Sequence, residues 1–145
     1  MANFDSVLSP QGKSCSFDAD ANGYGRGEGV GCLILMSEKQ AAASNSLKRA
    51  VVKASGVNHS GRSQGITSPD GASQVQLIRD VYASAGIDPI HTAYVEAHGT
   101  GTTRGDEIEV HSVAEAFRAK DRPADETVYV GSSKSNFGES SVLRF

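Results

Sequence analysis

Short apolar runs alternate along this chain with segments of helical periodicity, and the alternation constrains the fold more than any other feature. Strand-like apolar runs occur at 30–36, 50–57, 92–96 and 127–131. Helical spacing of apolar residues predicts helices from about 37, 69 and 106, between and beyond those runs. Strands that alternate with helices pair mostly in parallel. The sequence therefore predicts an α/β layered fold.

Several helix ends are marked by residues with a known role. Ser37 is suited to cap a helix that runs to about Lys48. Ser68 followed by Pro69 predicts a second start, with proline at the first helical position. Gly86 is suited to the left-handed conformation that ends a helix.

Charge and cysteine content exclude several classes of function. The net charge is -3 and no basic stripe is present, so no nucleic-acid partner is expected. No apolar run reaches membrane-spanning length. The first residues are neither basic nor apolar, which argues against a signal peptide. The 2 cysteines lack metal-site spacing, so we expect no metal and a cytoplasmic protein.

A first glycine-rich loop, residues 18–29, has Gly-x-Gly-x-Gly spacing. A dinucleotide-binding loop follows a strand and opens a helix. Here a strand follows the loop, so dinucleotide binding is rejected. A structural turn with an Arg26–Glu28 surface pair is favoured, and a functional role is left open.

A second glycine-rich loop follows the strand at 92–96. His98 lies at the carboxyl end of that strand, where α/β folds place ligands. Thr100 and Thr102 supply hydroxyls for a polar substrate chain. From spacing alone, catalytic and structural roles for the histidine weigh equally. Asp106 and Glu109 are spaced as a capping box at the start of the next helix.

A third glycine-bearing loop, residues 131–138, also follows a predicted strand. Its Lys134 has two interpretations, an exposed surface lysine, which is the usual case, or a charge fixed in a pocket. If both loops end neighbouring strands, His98 and Lys134 converge on one pocket.

The remaining histidines and both cysteines carry less weight. His59, His91 and His111 are interpreted as structural or solvent-facing. Cys32 lies within an apolar run and is expected to be inert core. Cys15 has no helix start beside it to activate the thiol, so it is not a candidate nucleophile.

These loops, in this order, resemble the ketosynthase (β-ketoacyl synthase) domains of type I polyketide synthases, closest in style to fungal reducing ones. The matching stretches are 17–29, 58–69, 96–102 with Gly105, Asp106 and Glu109, and 134–138. The resemblance implies a thiolase-like fold, of which this chain would form mostly one half. We expect residues 1–145 to be a partial ketosynthase domain, similar to the family over 8–138 and divergent over 139–145.

The resemblance also implies a reaction, decarboxylative Claisen condensation. An acyl thioester held on a cysteine is attacked by a malonyl-type unit on acyl carrier protein. His98 matches a catalytic histidine, Lys134 a supporting catalytic lysine, and Glu109 a carboxylate of the same network. Thr100 and Thr102 match positions that contact the carrier's phosphopantetheine arm. The chain itself would bind no cofactor, and the full-length family implies a homodimer.

Two departures from the family pattern bear on activity. The nucleophilic cysteine of the family precedes the stretch seen here, and neither Cys15 nor Cys32 matches it. The position of the second catalytic histidine holds Glu139, whose carboxylate would repel a developing anion. We therefore expect the chain alone to be inactive as an acyltransferase, and to come from a truncated gene model, an exon-boundary error or a degenerate synthase remnant.

Two other functional classes were weighed. One is a non-catalytic remnant or interaction module that retains contacts with the carrier protein or its phosphopantetheine arm. The other is a hydrolase that uses a serine with His98 and Asp106, which the lack of a Gly-x-Ser-x-Gly motif argues against.

Overall fold

The computed structural model describes residues 7–59, 69–118, 123 and 126–140. Its elements are, in chain order, α1 (Glu38–Ala43), α2 (Gly71–Ala85), a 3₁₀ turn (Pro89–His91), β1 (Tyr94–Glu96), α3 (Thr103–Ala116), β2 (Tyr129–Gly131) and α4 (Lys134–Phe137). Among these described residues, no helix is long and apolar enough to cross a membrane.

The two strands pair in parallel, as the alternation of elements predicts. Tyr94 lies opposite Tyr129 and Glu96 lies opposite Gly131. Both strands are shorter than their apolar runs, three residues each. Because the pairing is parallel, the carboxyl ends of β1 and β2 lie at one edge, and the second and third glycine loops leave from that edge.

The core lies between α2, α3 and this strand pair. Its buried members are at the end of α3, and partly buried side chains of α2, β1 and β2 pack on them: Val113, Ala116 and Phe117, with Val75, Ile78, Tyr82, Val95, Val128 and Val130. The rings of Tyr82 and Phe117 meet edge to face, with centroids 5.3 Å apart. This packing fixes both helices behind the strand pair.

The first helix begins where predicted and ends early. Ser37 and Gln40 form a complete capping box. The helix stops at Ala43, before Lys48, because Asn45 takes a positive φ of 50° that a right-handed helix cannot continue.

The second helix ends where predicted and begins late. Asp70 is its N-cap and accepts a hydrogen bond from the Ser73 amide at 3.1 Å. The predicted start at Ser68, with Pro69 as the first helical residue, is therefore wrong, because the Asp70 carboxylate caps the helix after both. Ser68 itself lies outside the described residues. Gly86 ends the helix with φ 64° and ψ 30°, as predicted.

The two apolar runs at 30–36 and 50–57 do not form the strands predicted for them. Neither run has a ladder partner among the described residues. Cys32 is exposed, so its assignment to the core is also wrong. The composition suits a buried strand, but a strand forms only where neighbouring strands supply hydrogen bonds and cover its side chains.

The core packing gives a stability prediction with a matched control. Phe117, 7% exposed, contacts the core, whereas Phe137 is 65% exposed. Phe117→Ala should lower the free energy of unfolding by about 3 kcal/mol, since it leaves a cavity. Phe137→Ala should change it by less than about 0.5 kcal/mol. Urea unfolding followed by circular dichroism measures both, and equal losses would contradict this core.

Candidate active site

The acidic side chains at the start of α3 bind loop amides instead of capping their own helix. The helix begins at Thr103, with Thr102 as the N-cap, so the capping box predicted for Asp106 and Glu109 is wrong. Asp106, 4% exposed, accepts hydrogen bonds from two backbone amides in different loops. Its partners are the Phe17 amide at 2.8 Å and the Gly101 amide at 3.1 Å. This carboxylate therefore ties the first part of the chain to the second glycine loop.

Glu109, one turn further along α3, holds the loop that carries the candidate histidine. Its two carboxylate oxygens accept from the His98 amide at 2.6 Å and the Gly99 amide at 2.8 Å. Gly99 has φ +43°, and a Cβ there would lie 2.5 Å from the Cβ of Ser132. Only glycine fits this close approach of the second and third loops.

His98 opens into a cavity of about 330 Å³. Thr100, Thr102 and Glu109 line the same cavity, together with Tyr24 of the first loop. The hydroxyls of the two threonines lie 3.1 Å apart and share a hydrogen bond. Four candidate residues from the sequence analysis therefore line one cavity at the carboxyl end of β1: His98, Thr100, Thr102 and Glu109.

The third loop adjoins the second through Ser132. The Ser132 hydroxyl donates to the His98 carbonyl at 3.2 Å and accepts from the Lys134 amide at 3.3 Å. The side chain of Lys134 lies outside the lining of the His98 cavity, and its Nζ is 3.5 Å from a carboxylate oxygen of Glu139. The structure therefore joins the two loops, while a common pocket for both side chains stays a prediction.

Glu139 and Lys134 form an ion pair that is partly buried. Each side chain is 20% exposed. The Glu139 oxygen nearest the amine is buried and receives no hydrogen bond in the described part of the chain. The backbone of Glu139 bonds to Gly25 and Gly27, through its amide at 2.7 Å and its carbonyl at 3.0 Å. The position is thus held by the first glycine loop, which is consistent with the structural interpretation of that loop.

Glu96 is a site residue that the sequence analysis missed. It ends β1, and its carboxylate accepts from the Ser133 amide at 2.8 Å and hydroxyl at 2.5 Å, and from the Tyr94 hydroxyl at 2.6 Å. The Ser133 hydroxyl, followed by the Tyr94 hydroxyl, lowers the pKa of Glu96 from 4.5 to about 2, and the charge of Lys134 adds to this. The same contact raises the pKa of Tyr94. The sequence feature that could have indicated Glu96 is its position at the end of a predicted strand, opposite a loop rich in serine.

Comparison with known proteins identifies the family. Residues 49–142 match "Beta-ketoacyl synthase, C-terminal domain", and residues 1–41 match "Beta-ketoacyl synthase, N-terminal domain". The chain belongs to the β-ketoacyl synthase family. The match to the C-terminal domain includes β1, β2 and α2 to α4, and so contains His98, Glu109 and Lys134, whereas the first glycine loop lies in the N-terminal match.

Curated relatives include fungal synthases. A highly reducing polyketide synthase of Aspergillus niger is 52% identical over 133 residues, which cover 91% of this chain and 5% of that protein. The 6-hydroxymellein synthase of Talaromyces verruculosus is 50% identical over 132 residues, again 91% of this chain and 5% of the relative. The chain thus corresponds to a small part of each of these synthases.

Solved ketosynthases share its fold. The ketosynthase from module 6 of the bacillaene synthase of Bacillus subtilis superposes with a TM-score of 0.86 at 39% identity, over 94% of this chain and 24% of that one. An oxazolomycin ketosynthase domain of Streptomyces albus gives 0.85 at 34% identity, over 94% and 23%. The predictions of a partial, thiolase-like ketosynthase domain of a polyketide synthase are confirmed, and the roles of individual residues stay predictions.

The Asp106 contacts predict that the protein loses stability when this carboxylate is replaced by a neutral amide. Asp106→Asn replaces one acceptor oxygen with an N–H₂ group that faces an amide donor, so about 2 kcal/mol of unfolding free energy should be lost. Glu107→Gln, an exposed neighbour on the same helix, should change it by less than about 0.5 kcal/mol. Urea unfolding gives both values. Amide hydrogen exchange should quicken at Phe17 and Gly101, and unchanged exchange there would count against the contact.

The Glu96 contacts predict that the connection between β1 and the third loop weakens in acid. Because the pKa of Glu96 is lowered, its stabilising contribution is complete above pH 4.5 and is lost as the pH falls through about 2. A carboxylate ¹³C NMR titration should give a midpoint near 2. Ser133→Ala should move the midpoint toward 4.5, whereas Ser135→Ala, which removes a donor to the Ser132 carbonyl, should not. A midpoint near 4.5 in the unaltered chain would show that Glu96 does not make these contacts with Ser133 and Tyr94.

Proposed function

We propose that this chain is the part of a ketosynthase that supplies His98 and Lys134 to decarboxylative Claisen condensation. The substrates are an acyl thioester and a malonyl-type unit on acyl carrier protein, in cytoplasmic polyketide or fatty-acid-type biosynthesis. The observation that carries the proposal is the placement of His98. It opens into a cavity at the carboxyl end of a parallel strand, and the adjacent backbone is held by Glu109.

The proposed role of His98 is to stabilise negative charge. Loss of carbon dioxide from the malonyl unit leaves an enolate, whose oxygen needs a donor already in place. The bonds from the His98 and Gly99 amides to Glu109 fix the loop before substrate arrives. A donor carried by a loop that is already fixed needs little reorganisation when the enolate forms, and this is the property of a preorganised site.

Thr100 and Thr102 are proposed to bind the phosphopantetheine arm of the carrier protein. Both line the cavity that His98 opens into, and their hydroxyls lie side by side. An amide-bearing arm needs neutral donors and acceptors of this kind. The arm belongs to the partner, so the chain needs no bound cofactor of its own. Carrier protein is therefore the proposed partner, and homodimeric assembly follows from the family resemblance.

Glu139 supports the alternative of a non-catalytic module. Its carboxylate offsets the charge of Lys134 and adds a negative group beside the loops that would hold an enolate. Such a chain could keep the threonine contacts with the arm while lacking condensation activity. The two proposals therefore differ in the effect of this one carboxylate on catalysis.

A graft into the Aspergillus niger relative tests the role of His98. Residues 8–138 of this chain replace the aligned stretch of that synthase, which keeps its own residues on either side. The graft should decarboxylate malonyl carrier protein, as measured by mass spectrometry. His98→Ala should slow this step about 100-fold or more, since a preorganised donor is lost. His111→Ala, an exposed histidine of α3, should leave the rate unchanged.

Extending the same graft by one residue to Glu139 separates the two proposals. A rate at least about tenfold lower, with carrier protein still retained on size-exclusion chromatography, supports the non-catalytic module for the chain as it stands. An unchanged rate supports condensation despite the ion pair. Equal rates for the His98→Ala and His111→Ala grafts would refute the catalytic role of His98.

A further inference from the structure

The cavity beside His98 is also lined by the start of α2. Pro69 and Gln74 line it from this helix, whereas Thr100 and Thr102 line it from the second glycine loop. Gln74 is half-buried, and no hydrogen bond joins its side chain to another residue in the part of the chain that the structure describes. Its carboxamide is therefore available to a molecule in the cavity.

The helix carries Gln74 at a defined place because its first turn is held against α3. The Ser112 hydroxyl oxygen lies 3.3 Å from the Gly71 carbonyl oxygen, and a Cβ on Gly71 would lie 3.1 Å from that hydroxyl. The Gln74 amide donates to the carbonyl of Asp70, the N-cap, at 3.2 Å. A ligand contact on a helix that is fixed in this way is placed more precisely than one on a loop.

The two carboxylates of the cavity cannot serve a ligand as Gln74 can. The oxygens of Asp106 and of Glu109 already accept hydrogen bonds from backbone amides. An ionised carboxylate only accepts, so neither side chain can donate to a carbonyl group. A glutamine side chain has N–H donors and a carbonyl acceptor together. Gln74 can therefore bind both the N–H and the C=O of an amide.

The charge of the cavity favours a neutral group beside Gln74. Asp106 and Glu109 contribute carboxylates to the described lining, which contains no lysine or arginine. These carboxylates would repel an anionic group placed next to them. Val7 and Pro69 add apolar contact for the methylene groups of a ligand. The chemistry of this lining thus suits an uncharged chain that contains amides.

We propose that Gln74 is a specificity-determining residue, whose carboxamide binds an amide group of the chain that carries the reacting thioester. The inference rests on the proposed function, in which the phosphopantetheine arm enters this cavity. It adds α2 to a site built so far from the second glycine loop and α3. It also states what is selected, since a thioester on a chain without amides should bind less tightly.

Binding of free pantetheine separates this role from catalysis. Pantetheine is titrated into the graft of residues 8–138 in the Aspergillus niger relative, and saturation-transfer NMR gives the dissociation constant. Gln74→Leu keeps the size of the side chain and removes its donors and its acceptor. The dissociation constant should therefore rise about three- to tenfold.

Gln76→Leu is the matched control on the same helix. Gln76 is exposed, its side chain bonds Asp80 at 2.7 Å, and it lines a separate groove between α2 and α3. The same substitution at this position should leave the dissociation constant of pantetheine unchanged.

Decarboxylation of two small thioesters measures the specificity itself. Malonyl pantetheine carries amides, whereas malonyl butanethiol carries none. In the Gln74→Leu graft, the KM for malonyl pantetheine should rise about three- to tenfold, with kcat within about twofold, since the lost contact is made in the ground state and the transition state alike. The KM for malonyl butanethiol should not change.

The outcomes distinguish this inference from the proposed function. His98→Ala should slow decarboxylation without raising the dissociation constant of pantetheine. Equal dissociation constants for the Gln74→Leu and Gln76→Leu grafts would refute the role of Gln74 and leave that of His98 intact. Absence of pantetheine binding to the unaltered graft would refute it as well. So would an equal loss of affinity for both thioesters, because such a loss does not depend on amides.

Discussion

Two carboxylates on the first turns of α3 hold the candidate site together. Asp106 and Glu109 accept four hydrogen bonds from backbone amides, at 2.6 to 3.1 Å, and none of those amides belongs to α3. Hydrogen bonds to a charged acceptor contribute about 1.5 to 3 kcal/mol each, more than neutral ones. Because glycine loops have little apolar surface to bury, these bonds do the positioning that core packing does elsewhere. The cavity beside His98 depends on them.

The parallel strand pair decides which loops those carboxylates can reach. Tyr94 and Tyr129 align, so Glu96 ends β1 opposite Gly131, and both following loops start at one edge. Glu96 bonds Ser133 across that edge, while Ser132 bonds the His98 carbonyl in return. The two loops are thus joined by reciprocal bonds. A shift of either strand by one residue would break both contacts, since alternate residues face opposite sides of a sheet.

Local chemistry could be predicted from the sequence, whereas features that depend on distant neighbours could not. The predictions of Ser37 as an N-cap and of Gly86 as a helix end were correct because each cap and its partners lie within a few residues. Asp106 and Glu109 have capping-box spacing, but spacing does not reveal that amides from other loops lie closer than those of the helix start. The runs at 30–36 and 50–57 have strand composition, but pairing depends on partners that no local pattern specifies.

The charges around Lys134 limit the chemistry that this shared fold can support. The backbone of Glu139 is fixed by hydrogen bonds to the first glycine loop, which places its side chain beside Lys134. Its buried oxygen lies 3.5 Å from Nζ and receives no hydrogen bond among the described residues, so the ion pair is its main compensation. With Glu96 also ionised nearby, Lys134 has two carboxylates in its surroundings. A site that stabilises an enolate needs excess positive charge or donors, and here the lysine's charge is already committed. His98, whose backbone amide is bound by Glu109 and whose side chain has no ion pair among the described contacts, is the proposed anion-stabilising group that these carboxylates do not offset.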